Sequence, residues 1–434
     1  MARNMKDSGI EWIGKIPEGW EIRKIKNNFM IYAGATPKSE KTEYWDGGIP
    51  WITPADFKST DKYVSSGRKS LTALGYDSCG TTLVPAGSII FSKRAPVGSV
   101  VIAKNTLCTN QGCLACIPND AVNNTYFYYC MSIFTEQFEL VSAGTTFKEI
   151  AASTFASFLL PCPPLSQQNE IVNFLDKESS RIDSMLSKTR SSIEEYKKLK
   201  QAVITQAVTK GVRGEREMKD SGVEWIGEIP KKWNRCKLNS ICTFINGDRS
   251  KNYPSSEDFQ DIGIPFIGAD SLNGFFVDTY SARHISPAKY ASMGGLKITQ
   301  GDILYTLRGS TIGKNAIANF NDGTIASSLV GIRVKSPFLA SSSFLFYWLN
   351  SLNEFVQRDL CINGSTAPNL SAENVAQFFI YIPDITEQHE IADYLDAKCA
   401  EIDKLIAKKE QLVKELDSYK KSLIYEVVTG KREV

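Results

Sequence analysis

The sequence predicts an α+β fold written twice: two mixed α/β domains joined by two long helices that form an antiparallel coiled coil, with an internal pseudo-twofold repeat. Three observations predict it. An opening segment recurs in the second half of the chain, the middle of each copy has short strand and turn signals, and each copy ends in a long apolar stripe of helical period.

The internal repeat is clearest at the two ends of each copy. Residues 5–21, MKDSGIEWIGKIPEGWE, return as residues 218–234, MKDSGVEWIGEIPKKWN, with 12 of 17 positions identical. Residues 168–188 return as residues 388–408, so the copies share a head and a tail and diverge between them. A weaker echo precedes the tail, GTT at residues 144–146 against GST at residues 364–366.

The middle of each copy has the composition of short strands and turns. Ser88–Phe91 and Ser99–Ala103 are β-branched or aromatic runs bounded by proline and glycine. The spacing of apolar residues predicts one amphipathic or buried helix in each copy, over residues 126–140 and 343–356. Each copy therefore contains a mixed globule of about 150 residues.

Each copy ends in apolar or aromatic residues at alternating steps of three and four. The stripe runs for about 40 residues, a rod of roughly 60 Å at about 1.5 Å per residue. Two such helices in the order globule, helix, globule, helix pack most simply antiparallel. The alternative is two unrelated helices, each packed on its own globule. The predicted seam residues are Ile171, Leu175, Ile182, Met185, Ile193, Tyr196 and Val203 in the first copy, and Ile391, Leu395, Ile402, Leu405, Leu412, Leu416, Tyr419 and Leu423 in the second.

Proline stops and capping residues set the domain boundaries. Prolines at 161–164 and 383 precede the helices, and Ser166 or Thr386 is the expected N-cap. The predicted domains are 1–162, the helix 163–212, a second domain 213–382 and the helix 383–434.

Composition excludes several classes of protein. The formal net charge of +2 argues against a non-specific nucleic-acid coat, although local basic loops remain possible. No apolar run approaches the roughly 20 residues of a membrane span, and residues 1–9 are not followed by a secretory apolar region. We therefore expect a cytoplasmic protein.

The cysteines predict reduced buried thiols rather than a metal site. Only Cys113 and Cys116, among ten cysteines, form a C-x-x-C pair. A structural zinc normally takes four ligands, and His284 and His389 are the only histidines. We expect no bound metal.

Three candidate catalytic motifs are each incomplete. Pro161–Pro164 contains a Pro-Cys pair without the glycine-rich cofactor loop of a methyltransferase, and Gly309–Asn315 is one residue short of a phosphate-binding loop. Asp384 and Glu387 suggest a nuclease but lack a lysine at workable spacing. The sequence predicts a non-catalytic protein.

The doubled D-S-G-[IV]-E-W-I-G-x-I-P opening and the helix starts PPLSQQNEI (163–171) and PDITEQHEI (383–391) resemble those of specificity subunits of type I restriction-modification systems. The resemblance covers essentially the whole chain. It implies that the two domains are target-recognition domains, each reading one half of an asymmetric bipartite site in double-stranded DNA, joined by an antiparallel coiled coil.

The resemblance also implies partners and cofactors. Two methyltransferase subunits would dock on the helical scaffold and methylate adenine N6, and two restriction-translocation subunits would complete the complex. S-adenosylmethionine, ATP and Mg2+ would belong to those partners, with none bound by this chain. The alternatives are a coiled-coil scaffold without DNA readout and a nuclease fused to a coiled coil.

Candidate DNA-contacting residues lie on loops of the diverged middles, because readout requires donors and acceptors and phosphate binding requires Lys or Arg. Arg94 and Arg308 rank first, since each ends a predicted strand at the same place in the repeat. The bland alternative for each residue is a solvated charge or a turn cap. The candidates are Thr36, Lys38, Ser39, Lys93, Arg94, Asn110, Gln111 and Lys148 in the first domain, and Arg249, Lys251, Arg308, Lys314 and Ser327 in the second.

Four tryptophans in the duplicated openings have two interpretations. Trp12, Trp20, Trp225 and Trp233 could stack on bases or pin each opening segment to its domain and helix. Identical residues cannot explain two different half-sites, which favours the structural role.

Helix length predicts the gap between half-sites. Four residues inserted into one helix would lengthen the rod by about 6 Å, close to two base pairs at roughly 3.4 Å each. We expect methylation footprints on random DNA to keep both half-sites and widen the unread gap. Altered half-sites with an unchanged gap would contradict the prediction.

Overall fold

The computed structural model describes residues 3–57, 61–143, 148–362 and 369–434. The sequence echo between residues 144–146 and 364–366 lies outside these ranges. Within them, no helix combines the length and the apolar character needed to cross a membrane.

In the described residues of the first copy there are twelve strands and five α-helices. The predicted hairpin strands agree with β8 and β9 to within one residue at each end. The strands are β1 (Met5–Asp7), β2 (Lys15–Pro17), β3 (Glu21–Lys24), β4 (Phe29–Ala33), β5 (Trp45–Ile52), β6 (Tyr63–Val64), β7 (Lys69–Leu71), β8 (Ile89–Ser92), β9 (Val100–Ala103), β10 (Cys108–Thr109), β11 (Cys113–Pro118) and β12 (Leu159–Cys162). The helices are α1 (Ala73–Asp77), α2 (Asn124–Ile133), α3 (Thr135–Leu140), α4 (Ala152–Ser157) and α5 (Leu165–Lys210).

The second copy follows the same order with small changes. Its strands are β13 (Met218–Asp220), β14 (Glu228–Pro230), β15 (Asn234–Lys237), β16 (Cys242–Asn246), β17 (Phe259–Gln260), β18 (Ile264–Ile267), β19 (Arg283–Ile285), β20 (Ile303–Thr306), β21 (Asn315–Ile317), β22 (Thr324–Ile325), β23 (Leu329–Val334) and β24 (Phe379–Ile382). Its helices are α6 (Leu238–Ile241), α7 (Pro287–Ser292), α8 (Ser342–Leu349), α9 (Leu352–Cys361), α10 (Ala372–Gln377) and α11 (Ile385–Val428).

One compact unit comprises residues 1–189 and 411–434. Its main sheet has the order β4-β11-β8-β9-β6, in which only the β6–β9 pair is parallel, and a second sheet has the order β10-β5-β7. Strand β8 is buried on both faces: Ile89 and Phe91 join the core formed with the helices, while Ile90 joins the core on the other side. Burial on both faces explains why this strand is a continuous apolar run rather than an alternating one.

The other compact unit comprises residues 190–410. Its sheets have the orders β16-β23-β20-β21 and β17-β19-β18-β22. Strand β20 repeats the role of β8, because Ile303 and Tyr305 face the helices and Leu304 faces the second core. The two units thus use the same arrangement of core layers.

Each long helix contributes one segment to each unit, and within each unit the two segments run antiparallel. In the first unit Asp183 of α5 pairs with Lys420 of α11 at 2.6 Å, and Arg432, just beyond α11, lies over the ring of Phe174. In the second unit Lys200 pairs with Asp403 at 2.6 Å, and Arg213, just beyond α5, pairs with Glu390 at 2.7 Å. Each unit therefore contains residues from both copies of the repeat.

The seam of the long helices differs from the prediction at four positions. Met185, Leu405, Leu412 and Tyr419 are exposed, although the heptad pattern placed them in the seam. Leu186 and Ile204 are buried instead, together with most of the last turns of α11. Of the remaining predicted positions, Tyr196, Val203 and Leu416 are half-buried, and the others are buried: Ile171, Leu175, Ile182, Ile193, Ile391, Leu395, Ile402 and Leu423.

Two further local predictions were wrong. The single helix expected over residues 126–140 and over residues 343–356 is broken into two in each copy, at Phe134 and between α8 and α9. The long helices begin before Ser166 and Thr386, so neither residue is the N-cap. In α11 the cap is Asp384, whose Oδ1 accepts from the backbone N–H of Glu387 at 2.9 Å.

The burial pattern predicts unequal costs for two leucines on one helix. Leu395→Ala should lower the free energy of unfolding by about 2 to 5 kcal/mol, because Leu395 is fully buried and its removal leaves a cavity. Leu405→Ala, ten residues along the same helix, should cost less than about 1 kcal/mol. Urea unfolding followed by circular dichroism measures both, and equal losses would restore Leu405 to the seam.

Candidate nucleic-acid interface

Two loops of the first unit meet through a glycine that permits close backbone approach. A Cβ on Gly34 would lie 2.2 Å from the carbonyl oxygen of Asn110, so no other residue fits there without a shift. The Ala35 N–H donates to the Thr109 carbonyl at 3.0 Å. Beside it, the Thr36 hydroxyl hydrogen bonds to the Gln111 side chain. The predicted residues Thr36, Asn110 and Gln111 therefore lie together.

The hairpin between β8 and β9 joins this cluster. The Lys93 N–H donates to the Gly112 carbonyl at 2.9 Å, which ties the hairpin to the 110–112 turn. Lys93 and Arg94 both pair with Glu149, at 2.8 and 2.9 Å. Hydrogen bonding by Lys93, and then by Arg94, holds the pKa of Glu149 below its usual range. Lys148, next to Glu149, is exposed.

The second unit repeats this framework with different side chains. A Cβ on Gly247 would lie 2.4 Å from the Ala326 carbonyl oxygen. The Leu307 N–H donates to the Ser328 carbonyl at 2.8 Å, as Lys93 does to Gly112. Arg249 donates to the Ser327 carbonyl at 3.3 Å, so these two predicted residues also lie together.

The two leading arginines occupy equivalent places with different partners. Arg308 Nε donates to Asn369 Oδ1 at 3.1 Å, whereas Arg94 Nε donates to the Glu149 carboxylate. In the part of the chain that the structure describes, Arg308 pairs with a neutral amide and with no carboxylate, while Glu149 opposes the charge of Arg94. A phosphate or base that approaches Arg94 must therefore compete with the Glu149 carboxylate, which is already paired with Arg94.

Lys314 is turned away from the other predicted residues. Its Nζ donates to Asn273 Oδ1 at 2.6 Å, and it lines a cavity of about 750 Å³ together with residues of the long helices such as Lys197 and Asp396. It contributes to a different surface from Arg249 and Ser327. The exposed members of the predicted set are Lys38, Ser39, Arg94, Gln111, Lys148, Arg249, Lys251 and Arg308, and the half-buried members are Thr36, Lys93, Asn110, Lys314 and Ser327.

Two buried glutamines hold each domain to its helix, and the sequence analysis missed them. Gln168 Oε1 accepts from the Asn123 N–H at 2.8 Å and its Nε2 donates to the Pro163 carbonyl at 2.8 Å. Gln388 makes the equivalent bonds to Ser341 and Pro383, at 2.9 and 3.0 Å. The available signal was an identical polar residue one turn into both helices.

The tryptophans have the structural role that the sequence favoured. Trp20 and Trp233 are fully buried, and Trp20 Nε1 donates to Gln167 Oε1 on α5 at 2.7 Å. Trp12 packs against Phe134 at a ring separation of 4.6 Å. Trp225 is more exposed, at 39%, but still lies near Phe379.

The residues of the three candidate catalytic motifs lie in a strand, in a connecting turn and at the start of a helix. Cys162 lies in β12, where burial raises the pKa of its thiol, and residues 309–315 connect β20 to β21. Asp384 caps α11, and Glu387 pairs with Arg216. The ten cysteines are free thiols. Among the described residues, no group of three or more His, Cys, Asp or Glu side chains is placed to hold a metal ion.

Two domains that present different polar loops on one repeated framework define a two-headed recognition protein. The family model described as the type I restriction modification DNA specificity domain matches the chain twice, over residues 17–195 and 230–415. The chain therefore belongs to the family of type I restriction-modification specificity subunits, which recognise DNA sequence and are the non-catalytic components of those systems. The resemblance seen in the sequence is confirmed.

Relatives cover most of the chain. The MjaIX specificity subunit of Methanocaldococcus jannaschii is 28% identical over 384 residues, which are 86% of this chain and 84% of the relative. The EcoBI specificity subunit of Escherichia coli is 24% identical over 400 residues, covering 90% and 81%.

Solved structures share the fold at low identity. A chain from a structural study of complex assembly and conformational transition of the type I R-M system has a TM-score of 0.73 at 16% identity, covering 96% of this chain and 99% of that one. The HsdS subunit from Thermoanaerobacter tengcongensis has a TM-score of 0.52 at 17% identity, covering 96% and 98%. The predicted duplicated, mixed α/β fold is confirmed.

The hydrogen bonds of the buried Gln388 predict that its removal will speed hydrogen exchange at one backbone amide. Gln388→Ala should cost about 1 to 3 kcal/mol, because the Ser341 N–H and the Pro383 carbonyl lose their buried partner. Hydrogen exchange should accelerate at the Ser341 amide. His389→Ala, at the exposed neighbouring position, is the matched control, and equal protection of Ser341 in both variants would contradict the role.

Proposed function

We propose that this chain reads an asymmetric, bipartite sequence in double-stranded DNA, one half-site with each domain. The supporting observation is the repeated framework around Gly34 and Gly247, which presents Thr36 and Gln111 in one unit and Arg249 in the other. Because the framework is the same in both units, each unit presents its reading surface at the same place on the fold. Because the side chains differ, the two surfaces should prefer different bases.

We propose further that α5 and α11 form an antiparallel coiled coil. Support comes from two reciprocal ion pairs, Asp183 with Lys420 in the first unit and Asp403 with Lys200 in the second, each 2.6 Å long. Asp403 is the repeat counterpart of Asp183, and Lys420 that of Lys200. Each helix thus supplies the same acid and the same base to the other, as expected of two copies of one repeat.

A pseudo-twofold scaffold suits a partner that binds twice. The proposal is that two adenine-N6 methyltransferase subunits dock on the helices and that two restriction-translocation subunits join them. S-adenosylmethionine, ATP and Mg2+ then belong to those subunits and none is bound by this chain. The related structure noted above was studied in the context of complex assembly in the type I R-M system, which supports an assembled state here.

The candidate base-reading and phosphate-binding groups divide by charge and exposure. Arg94 and Arg308 lead, because both are exposed at the same place on the framework. Lys38, Lys148 and Lys251 are exposed on neighbouring loops and suit phosphate contacts, which carry no sequence preference.

The proposal predicts that two single substitutions affect different half-sites. In the complex reconstituted with the cognate methyltransferase, Arg94→Ala should relax selection at one half-site and Arg308→Ala at the other, each costing about 1 to 3 kcal/mol if the arginine reads a guanine. Sequencing of methylated random DNA measures both effects at once.

Lys104→Ala is the matched control, because Lys104 is an exposed cation at the end of β9 opposite the hairpin. A wild-type complex that methylates a single continuous site would overturn the bipartite proposal. Methylation without any sequence selection would favour the scaffold without DNA readout.

A further inference from the structure

Equivalent core positions under the β8–β9 hairpin and the β20–β21 hairpin carry different side chains. They are apolar in the first unit and form an ion pair in the second. The two copies correspond at one offset at Phe158 and Phe378, which each accept from the backbone N–H that follows β3 and β15, and at Glu149 and Asn369, which form the bridges to Arg94 and Arg308. At the same offset the preceding helices α3 and α9 end within one residue of each other, so we extend the correspondence back along these helices. Along this stretch Phe134 corresponds to Glu354 and Phe138 to Arg358. On the strands β8 and β20, Phe91 corresponds to Tyr305.

In the first unit these positions form an aromatic cluster. The rings of Phe91 and Phe138 are 4.8 Å apart, and those of Phe138 and Phe158 are 4.2 Å apart. Phe134 packs against Trp12. Val97, in the turn of the hairpin, is 1% exposed and belongs to the same core. The turn of this hairpin therefore packs into the apolar core.

In the second unit the same positions form a buried hydrogen-bonded triad. Glu354 is 2% exposed, accepts from the Tyr305 hydroxyl, and accepts from Arg358 Nε at 3.0 Å. Arg358 Nη1 donates to the carbonyl of Ile312, in the turn between β20 and β21, at 3.2 Å. A Cβ on Gly313 would lie 2.7 Å from the guanidinium, so the turn lies directly on Arg358.

Net stability does not account for this ion pair. Replacing a buried ion pair by apolar residues of similar volume is often neutral or stabilising, and the first unit carries such residues at these positions. Burial raises the pKa of Glu354 to about 7 in spite of the adjacent guanidinium, so pairing with Arg358 does not fully offset the desolvation of the carboxylate. What the triad supplies, and two phenylalanines cannot, is a fixed hydrogen-bond donor to the hairpin turn.

We infer that Arg358, held by Glu354 and Tyr305, is the positioning residue of the hairpin that carries Arg308. This inference rests on the proposed function and deepens it for the second half-site. Arg358 does not contact DNA. It fixes the Ile312 carbonyl and hence the turn, and the turn fixes the direction in which Arg308 leaves β20. In the first domain Val97 anchors the turn by fuller packing, since it is 1% exposed whereas its counterpart Ile312 is only half-buried.

The test transplants the first unit's side chains into the second. The double variant Glu354→Phe, Arg358→Phe should fold, because the same arrangement of core layers accepts phenylalanine at both positions in the first unit. In the reconstituted methyltransferase complex it should lose about tenfold in discrimination at the half-site that Arg308→Ala relaxes. Discrimination at the other half-site should stay unchanged. The measurement is kcat/KM for methylation of duplexes with one base changed in either half-site, beside thermal unfolding of the same preparation.

Conservative variants separate positioning from general stability. Glu354→Gln keeps an acceptor for both Tyr305 and Arg358 and should retain selection. Arg358→Lys replaces the planar fork by a single ammonium, which cannot hold Glu354 and the Ile312 carbonyl together in the same geometry, and should lose selection at that half-site alone.

The outcomes distinguish this inference from the proposed function. If Arg308→Ala relaxes one half-site while the folded double variant and Arg358→Lys both select it normally, the inference is wrong and the proposed function stands. If the wild-type complex selects no bipartite site, the proposed function fails first. Should the double variant not fold, Arg358→Lys against Glu354→Gln decides, and equal selection by those two rejects the inference.

Discussion

The structure depends on burying the apolar stripes of two helices that are too long to be covered by one domain each. A 46-residue helix and a 44-residue helix each carry a stripe along their length, and each divides it between the two compact units. Leu175 and Leu423 are buried in one unit, and Leu395 and Ile204 in the other. Neither copy of the repeat therefore completes a core from its own residues alone.

A division of labour between shared and diverged residues follows. The residues that are identical in both copies hold the framework: Trp20 and Trp233 are buried, and Gln168 and Gln388 tie the domains to the helices. The candidate DNA-contacting residues, which differ between the copies, lie on or beside the loops that this framework presents. The proposed function requires this separation, because a chain that docks one kind of partner twice and reads two different half-sites must keep its shared surfaces alike while its reading surfaces diverge.

The features predicted well from sequence were those with local signals. The hairpin strands and the starts of both long helices fall within two residues of their predicted positions, because β-branched runs, prolines and heptad spacing act over a few residues. The break in the middle helix at Phe134 was missed because the apolar pattern continues through it. Met185 and Leu405 were assigned to the seam by period alone, whereas burial depends on which elements pack above each turn.

The sequence predicted which residues belong to the candidate site better than it predicted which of them lie in contact. Thr36 and Gln111 are 75 residues apart in sequence, and only the close approach at Gly34 brings them into contact. Lys314 shares the predicted residue type and loop but is turned toward Asn273, since the hairpin turn leaves it on the side facing the cavity. Nothing in the sequence of one copy alone distinguishes these outcomes. Comparison of the copies does, once their backbones are known to coincide.

The shared backbone framework of the two copies is most informative where the core side chains that support it differ. Reading a base edge requires donors held within the narrow tolerance of hydrogen-bond distance and angle, so the proposed reading by Arg94 and Arg308 requires both hairpins to be rigid. The first unit achieves this by packing Val97 into an aromatic core, and the second by a guanidinium bonded to the Ile312 carbonyl. Packing acts through volume and resists displacement without direction, whereas a hydrogen bond also fixes the orientation of the peptide it holds. Among the described residues Arg308 is held by the neutral Asn369 and not by a carboxylate, which agrees with the inference that the turn below it sets its orientation in the second unit.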